Sequence, residues 1–226
     1  AAFAAVDGIL MDLGVISQQL DDEDRGFSFR SHDAHDMRFD TTVGIPPIEV
    51  VATNSEAQLA DVFRRHGEEP HARRIARAIV SRREQTPIET PAQLAEVVTR
   101  ATPKPRNTRR RRIHPATRVF QALRIEVNRE LETLPEALES CLGLLKPDGR
   151  LCVISYHSLE DRIVKRFLAR ERRGCTCPPE LPVCVCGKQP RVATVGAQPQ
   201  LPSEEEVASN PRARSAKLRA ARRLPA

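Results

Sequence analysis

The apolar positions fall into short blocks whose spacing changes along the chain. Val6-Asp7-Gly8-Ile9-Leu10-Met11-Asp12 is an apolar run closed by a carboxylate and followed by Leu13-Gly14. It reads as a buried strand with an acid at its carboxyl end, where open α/β sheets place their ligand crevice. Residues 21–40 are polar and loop-like. From residue 55 the spacing becomes helical: Ser55 and Gln58 form a capping box, Leu59, Val62 and Phe63 share a face, and Gly67 follows the end. A second helix over 70–84 turns Ile75, Ile79 and Val80 inward and Arg73, Arg74, Arg77, Arg82 and Arg83 outward. Thr90-Pro91 opens a third, with Leu94, Val97 and Val98 inward.

Residues 102–113 are rich in Pro and Arg and read as a mobile linker. Pro115 opens a helix through Asn128, and a further helix over about 131–145 stops at Lys146-Pro147-Asp148-Gly149. Leu151-Cys152-Val153-Ile154 is a second buried strand, followed by Ser155-Tyr156-His157-Ser158. Ser158 and Asp161 are expected to form the capping box of a helix reaching about Arg172. Helix, turn, strand, loop, helix is the grammar of a doubly wound α/β sheet. The expected organisation is an α/β core over 1–44 and 114–226, interrupted by an all-α insert over 45–113.

Charge refines this picture. The 226 residues carry a formal charge of +6 and are 40% hydrophobic, with no apolar run long enough to span a membrane. A soluble, cytoplasmic protein without a membrane partner is expected. Residues 100–118 and 207–226 together carry +14 and no acid, which leaves −8 for the remainder. A mildly acidic body with two basic segments points to a polyanion, RNA or DNA, contacted locally. The alternative is a solvated linker and a frayed tail.

The cysteines divide into two kinds. Cys141 and Cys152 sit in apolar helix and strand patterns and read as small core residues. Cys175, Cys177, Cys184 and Cys186 form two C-x-C pairs in a Pro-rich loop over 174–187. Four thiolates at that spacing can close on a tetrahedral structural zinc ion, and the alternative is four free thiols on a mobile loop. Of the polar candidates, Asp12 can hold part of a cofactor or substrate or cap a turn. His157 can serve as a base, an RNA contact or a turn histidine. Tyr156 can stack on a base or pack in the core, and Glu160 and Asp161 are first-turn acids favoured by the helix dipole. Arg118 and Arg124 can track phosphates.

Several segments, in order, resemble one family. They are Asp7 through Val15, Gln19-Leu20-Asp21, Arg25-Gly26-Phe27-Ser28-Phe29, Asp36-Met37-Arg38, Gly67-Glu68-Glu69, Arg74-Ile75-Ala76, His114 through Arg118, Phe120 through Arg124, Asn128, His157 through Arg162 and Asn210 through Ser215. Together they are similar to the bacterial RsmH (MraW) methyltransferases from about Val6 to Arg223. The resemblance implies a class I, Rossmann-like core with a helical insert for RNA recognition. It also implies S-adenosylmethionine-dependent methylation of the N4 amine of a decoding-centre cytosine in 16S ribosomal RNA, on the small ribosomal subunit. In that family the Asp of the D-L-G-V segment and the Gln seven residues later contact the cofactor, and these fall on Asp12 and Gln19. The chain has Ile16-Ser17-Gln18-Gln19 where the family has Ser-Ser-Pro-Gln. The family's Gly-Gly-His cofactor loop is not in this sequence, so the core is expected to be incomplete and to bind cofactor poorly by itself. The competing expectation is a non-enzymatic RNA-binding protein with a zinc-stabilised loop.

Overall fold

The computed structural model describes residues 5–15, 27, 36–103, 114–175, 177, 178 and 180–225. The chain divides into two units, Ala1–Gly14 with Leu131–Ala226, and Val15–Glu130.

The first unit is built on a four-stranded sheet in the order β1-β2-β4-β3. Strands β1 (Val6–Asp12) and β2 (Leu145–Ser155) run parallel, with Leu10 opposite Cys152 and Asp12 opposite Ile154. Among the described residues β1, expected to be buried, is an edge strand covered on one side only by β2, and Leu10 is 67% exposed. The crossover between β1 and β2 contains the whole second unit in its sequence. Pro147-Asp148-Gly149, expected to stop a helix, lies within β2. The register shifts there between Val6 and Gly8, and Asp148 takes a φ of 67°. A Cβ on Gly149 would meet the Lys146 carbonyl oxygen at 2.8 Å, so the bulge depends on glycine.

Two further strands have no forerunner in the sequence pattern. β3 (Val192–Thr194) and β4 (Lys217–Arg223) are antiparallel to one another, and β4 pairs antiparallel with β2. The sheet is therefore mixed. Within the segment 207–226 that reads as a basic C-terminal tail, Lys217–Arg223 is a strand whose cations are engaged within the unit, while Arg212 and Arg214 lie in the 3-10 turn Pro211–Ser215. Arg219 is 7% exposed and places Nε 2.7 Å and Nη2 3.2 Å from the two Asp161 oxygens. Lys217 reaches the same carboxylate, Arg222 bonds Asp148, and Arg223 donates to the Gly143 and Leu145 carbonyls. A carboxylate and its hydrogen-bonded cations can be taken from water together, whereas an unpaired charge cannot.

Helices α6 (Glu130–Leu144) and α7 (Ser158–Arg173) contribute Leu134, Leu138 and Leu142, and Val164, Phe167 and Leu168, to one core with Leu151 and Val153 of β2. Cys141 lies 3.6 Å from the Met11 sulfur, in keeping with its reading as a core residue. Burial pushes its thiol above the ordinary value.

The second unit is helical. It contains α1 (Pro47–Thr53), α2 (Glu56–Gly67), α3 (Ala72–Gln85), α4 (Pro91–Ala101) and α5 (Thr117–Asn128). The capping box expected at Ser55 is formed, and Thr90, expected to open its helix, forms one as well with Gln93. Leu59, Phe63, Ile75, Ile79, Leu94, Val98, Val119 and Leu123 fill its core. Helix α5, placed with the α/β core on sequence grounds, groups here, because Val119, Phe120 and Leu123 pack into this core. Helix α1 is an addition to the expected elements.

Asn128, the last residue of α5, fixes the loop before α1: its side chain accepts from the Phe39 N–H at 2.7 Å and donates to the Met37 carbonyl at 2.8 Å. At the α2–α5 crossing, a Cβ on Gly67 would lie 2.6 Å from the Arg118 carbonyl oxygen. Gly67→Ala is expected to push the helices apart and destabilise the protein by about 1–3 kcal/mol, read as a lower urea midpoint.

Candidate functional site

The parallel pairing of β1 and β2 brings their carboxyl ends side by side, and the Leu13 N–H donates to the Ile154 carbonyl at 3.0 Å. Asp12 closes β1 opposite Ile154, and the chain continues past the strand ends through Leu13-Gly14 and Tyr156-His157. Gly14 takes a φ of 87°, which turns the chain away from the sheet in a conformation that a side chain would strain. Two sequence candidates meet here: the exposed Asp12 carboxylate lies close enough to the Tyr156 phenol to act on its ionisation. Burial comes first, followed by the interaction with Asp12 and the charges of Asp12, Glu160 and Glu206, and together they raise the Tyr156 phenol above its ordinary value. The phenol therefore remains a neutral donor through the neutral range.

Glu160 fixes this turn. It is 2% exposed, and its Oε2 accepts the Tyr156 N–H at 3.0 Å and the His157 N–H at 3.3 Å. The Glu160 N–H in turn donates to His157 Nδ1 at 3.4 Å. His157, not Ser158, is thus the N-cap of α7, and the capping box is His157–Glu160. The Ser158–Asp161 box expected from the sequence is not formed, because Asp161 faces Arg219 and Lys217 in β4. His157 Nε2 lies 3.1 Å from Glu160 Oε1 without hydrogen-bonding geometry. Among the three expected roles for His157, the structure displays the turn histidine. The sequence marks Glu160 only as a dipole-favoured acid. Its N3 spacing after His157 is the signal that could have found the box, obscured because Ser is the commoner cap.

Chemically, the strand ends offer a solvent-accessible carboxylate with a phenol beside it. A carboxylate so placed can accept an amine N–H or stand beside a cationic group, and so it fits the ammonium or sulfonium end of S-adenosylmethionine. Gln19, the other expected cofactor contact, lies outside the described residues.

The expected RNA-contacting residues separate in the helical unit. Arg118 is exposed and donates to the Glu68 carbonyl at 3.3 Å. Arg124 forks onto Glu130 at 2.8 and 3.0 Å, in a pair whose side chains are 15% and 9% exposed. On α3, Arg73, Arg74 and Arg77 are exposed. Arg82 and Arg83, expected to face outward with them, are half-buried and donate to the Thr86 and Val51 carbonyls. Arg74, Arg82 and Arg100 line a groove of about 360 Å³ between α3 and α4. The basic linker over 104–113 lies outside the described residues.

The four loop cysteines converge, with sulfur atoms all within 4.8 Å of one another. They are separate from the strand-end site in sequence and are held by the connection between α7 and β3.

Comparison with known proteins points to one family. Residues 1–224 match the MraW methylase family. A protein from Thermomicrobium roseum named ribosomal RNA small subunit methyltransferase H is 54% identical over 222 residues, covering 98% of this chain and 67% of its own length. Proteins of the same name from Syntrophotalea carbinolica and Geobacter sulfurreducens are 56% and 53% identical, each spanned over 70% of its length by 98% and 97% of this chain.

Proposed function

From the premise that this chain belongs to the MraW methylase family, we propose that it takes part in S-adenosylmethionine-dependent methylation of the N4 amine of a decoding-centre cytosine in 16S ribosomal RNA. The observation that supports this reading most is the Asp12–Tyr156 pair at the adjoining carboxyl ends of two parallel strands.

The exocyclic amine of cytosine is a weak nucleophile because its lone pair is delocalised into the ring. Bound S-adenosylmethionine supplies an electrophilic methyl group. Asp12 accepts one amine N–H, which orients the nitrogen and localises its lone pair towards the incoming methyl. Tyr156, beside the same carboxylate, can donate to it and fix its rotamer, while Glu160 holds the Tyr156–His157 turn that carries the phenol. Alkylation makes the amine cationic and acidic, so its proton leaves readily and Asp12 is the nearest acceptor. No strong base is needed, which suits a carboxylate that is open to solvent. The target base must be unstacked to reach the strand ends. Arg73, Arg74, Arg77 and Arg118 are the exposed cations assigned to the RNA backbone, with the linker over 104–113.

The direct test is transfer of labelled methyl from S-adenosylmethionine to small ribosomal subunits by the protein carrying this chain. Incorporation supports the reading, and none under conditions where the protein is folded overturns it.

A related expectation concerns salt. Replacing Arg73, Arg74 and Arg77 together by Ala should weaken RNA binding and flatten its salt dependence by about 0.7–0.9 in log–log slope for each phosphate left without its cation. Arg222→Ala, which removes a cation already paired with Asp148, should leave that slope unchanged. Filter binding between about 50 and 200 mM salt measures both.

A further inference from the structure

Among the described residues, the loop between α7 and β3 has no apolar core. Leu181, Val183 and Val185 are 45%, 70% and 77% exposed, although they are its large hydrophobic side chains. What converges instead is sulfur. Cys175 and Cys184 are 3.4 Å apart, Cys184 and Cys186 3.5 Å, Cys186 and Cys175 3.8 Å, and Cys177 and Cys184 3.9 Å. These separations are too long for a disulfide, whose sulfurs sit about 2.05 Å apart. They match the edges of a tetrahedron of thiolates around one zinc ion, which are about 3.8 Å when each zinc–sulfur bond is about 2.3 Å. Weak thiol–thiol contacts give no reason for four side chains from a coreless loop to gather at one point, whereas a shared cation does.

The stem of the loop is built to hold such a knot. Gly174 has a φ of 69°, and a Cβ there would lie 2.5 Å from the Gln189 carbonyl carbon and the Pro190 nitrogen, so the two strands of the stem touch. The Arg191 N–H donates to the Glu171 carbonyl at 2.8 Å, and its guanidinium bonds Glu171 at 2.6 Å and Glu139 at 2.7 and 2.8 Å. The stem is anchored to α6 and α7 up to Gly174 and again from Arg191. Between those points the sulfur cluster is the feature that ties the two C-x-C pairs together.

We propose that Cys175, Cys177, Cys184 and Cys186 bind one zinc ion, which closes the loop over 174–190. All four ligands are side chains of this chain, so no coordination position remains for substrate and the ion is structural. Soft thiolate donors in a tetrahedral set select zinc or iron over magnesium and calcium, and a redox-inert ion suits a purely architectural role. The site is independent of the strand-end chemistry and stands or falls separately from it.

Elemental analysis of the purified full chain tests the proposal. About one zinc per chain is expected, lost in Cys184→Ser/Cys186→Ser and retained in Cys141→Ser/Cys152→Ser. Cobalt exchanged into the wild-type chain is expected to show thiolate-to-metal charge transfer and the intense visible bands of tetrahedral coordination. Chelation of wild-type protein keeps the test open should the Ser variants fail to fold: trypsin is then expected to cleave after Lys188 faster, and added zinc should restore protection. Wild-type chain that neither contains zinc nor takes it up on titration would overturn the proposal. So would zinc retained in the double Ser variant, iron in its place, or cleavage at Lys188 unaffected by chelation.

Discussion

Asp12→Asn is expected to lower methyl transfer by about two to three orders of magnitude, the range seen when one preorganised polar group aimed at the reacting centre is removed. The amide keeps the size of the carboxylate but loses its charge, and it can no longer accept from the amine and the phenol with full strength. The fold should hardly notice. Asp12 is exposed, and even a full hydrogen bond with the neighbouring Tyr156 phenol would contribute only about 1 kcal/mol. The measurement is kcat on small subunits alongside thermal unfolding. A rate loss with an unchanged Tm supports the assignment, and a parallel loss of both would make Asp12 a structural residue. Tyr156→Phe, which removes only the donor to Asp12, is expected to cost about tenfold and to act on kcat more than on KM.

The largest stability effect is expected at Asp161. Its carboxylate meets a guanidinium that is 7% exposed, with Lys217 as a second cation. Asp161→Ala would leave Arg219 buried and uncompensated, and removing one partner of a buried pair costs about 3–5 kcal/mol. Replacing both partners by apolar residues, as in Asp161→Leu/Arg219→Met, should recover most of that loss, because the penalty lies in the unpaired charge and not in missing attraction. Urea unfolding of both variants makes the comparison.

The pH dependence follows from the same pair. Burial raises the Asp161 pKa, but the hydrogen bond and charge of Arg219 and the charge of Lys217 outweigh it and hold the carboxyl below its ordinary value. A depressed folded-state pKa contributes stability that is fully present above the unfolded value of about 3.9 and is lost as pH falls through the lower folded value. Wild-type stability should therefore drop below about pH 4 with a component absent from the double apolar variant.

These residues also mark how far the sequence can be read. Local signals translate well: Ser55–Gln58 caps its helix as expected, Thr90-Pro91 opens one, and the apolar runs at Val6 and Leu151 become β1 and β2, although β1 is exposed where a buried strand was expected. What fails is non-local. Lys217-Leu-Arg-Ala-Ala-Arg-Arg has too little hydrophobicity to announce a strand, and read alone it is a basic tail. It becomes β4 because Asp161, 58 residues earlier in the chain, neutralises Arg219 where the strand crosses α7. No local pattern records that partnership. The same displacement hides the cap of α7. Once Asp161 is committed to β4, the box moves back by one residue to His157 and Glu160.

At the candidate site, Asp12 and Tyr156 are both legible as residues at strand ends. Their proximity is not, because it depends on β1 and β2 being parallel neighbours in the register that sets Asp12 opposite Ile154. Arg124 shows the converse. Its cationic head suggests a phosphate contact, and its bidentate pairing with Glu130 is visible only in three dimensions. The sulfur cluster is legible from spacing alone, since two C-x-C pairs so close in sequence have little freedom to avoid one another.

The central claim is that the Asp12 carboxylate at the strand ends directs methyl transfer to a cytosine N4 amine. Nucleoside mass spectrometry of 16S ribosomal RNA, after reaction with the wild-type protein and with Asp12→Asn, tests it most directly. N4-methylcytidine is expected at a single decoding-centre cytosine with the wild type and should nearly disappear with the variant. Methyl groups found on a ring carbon or a ribose oxygen, or N4-methylcytidine formed equally by Asp12→Asn, would contradict it.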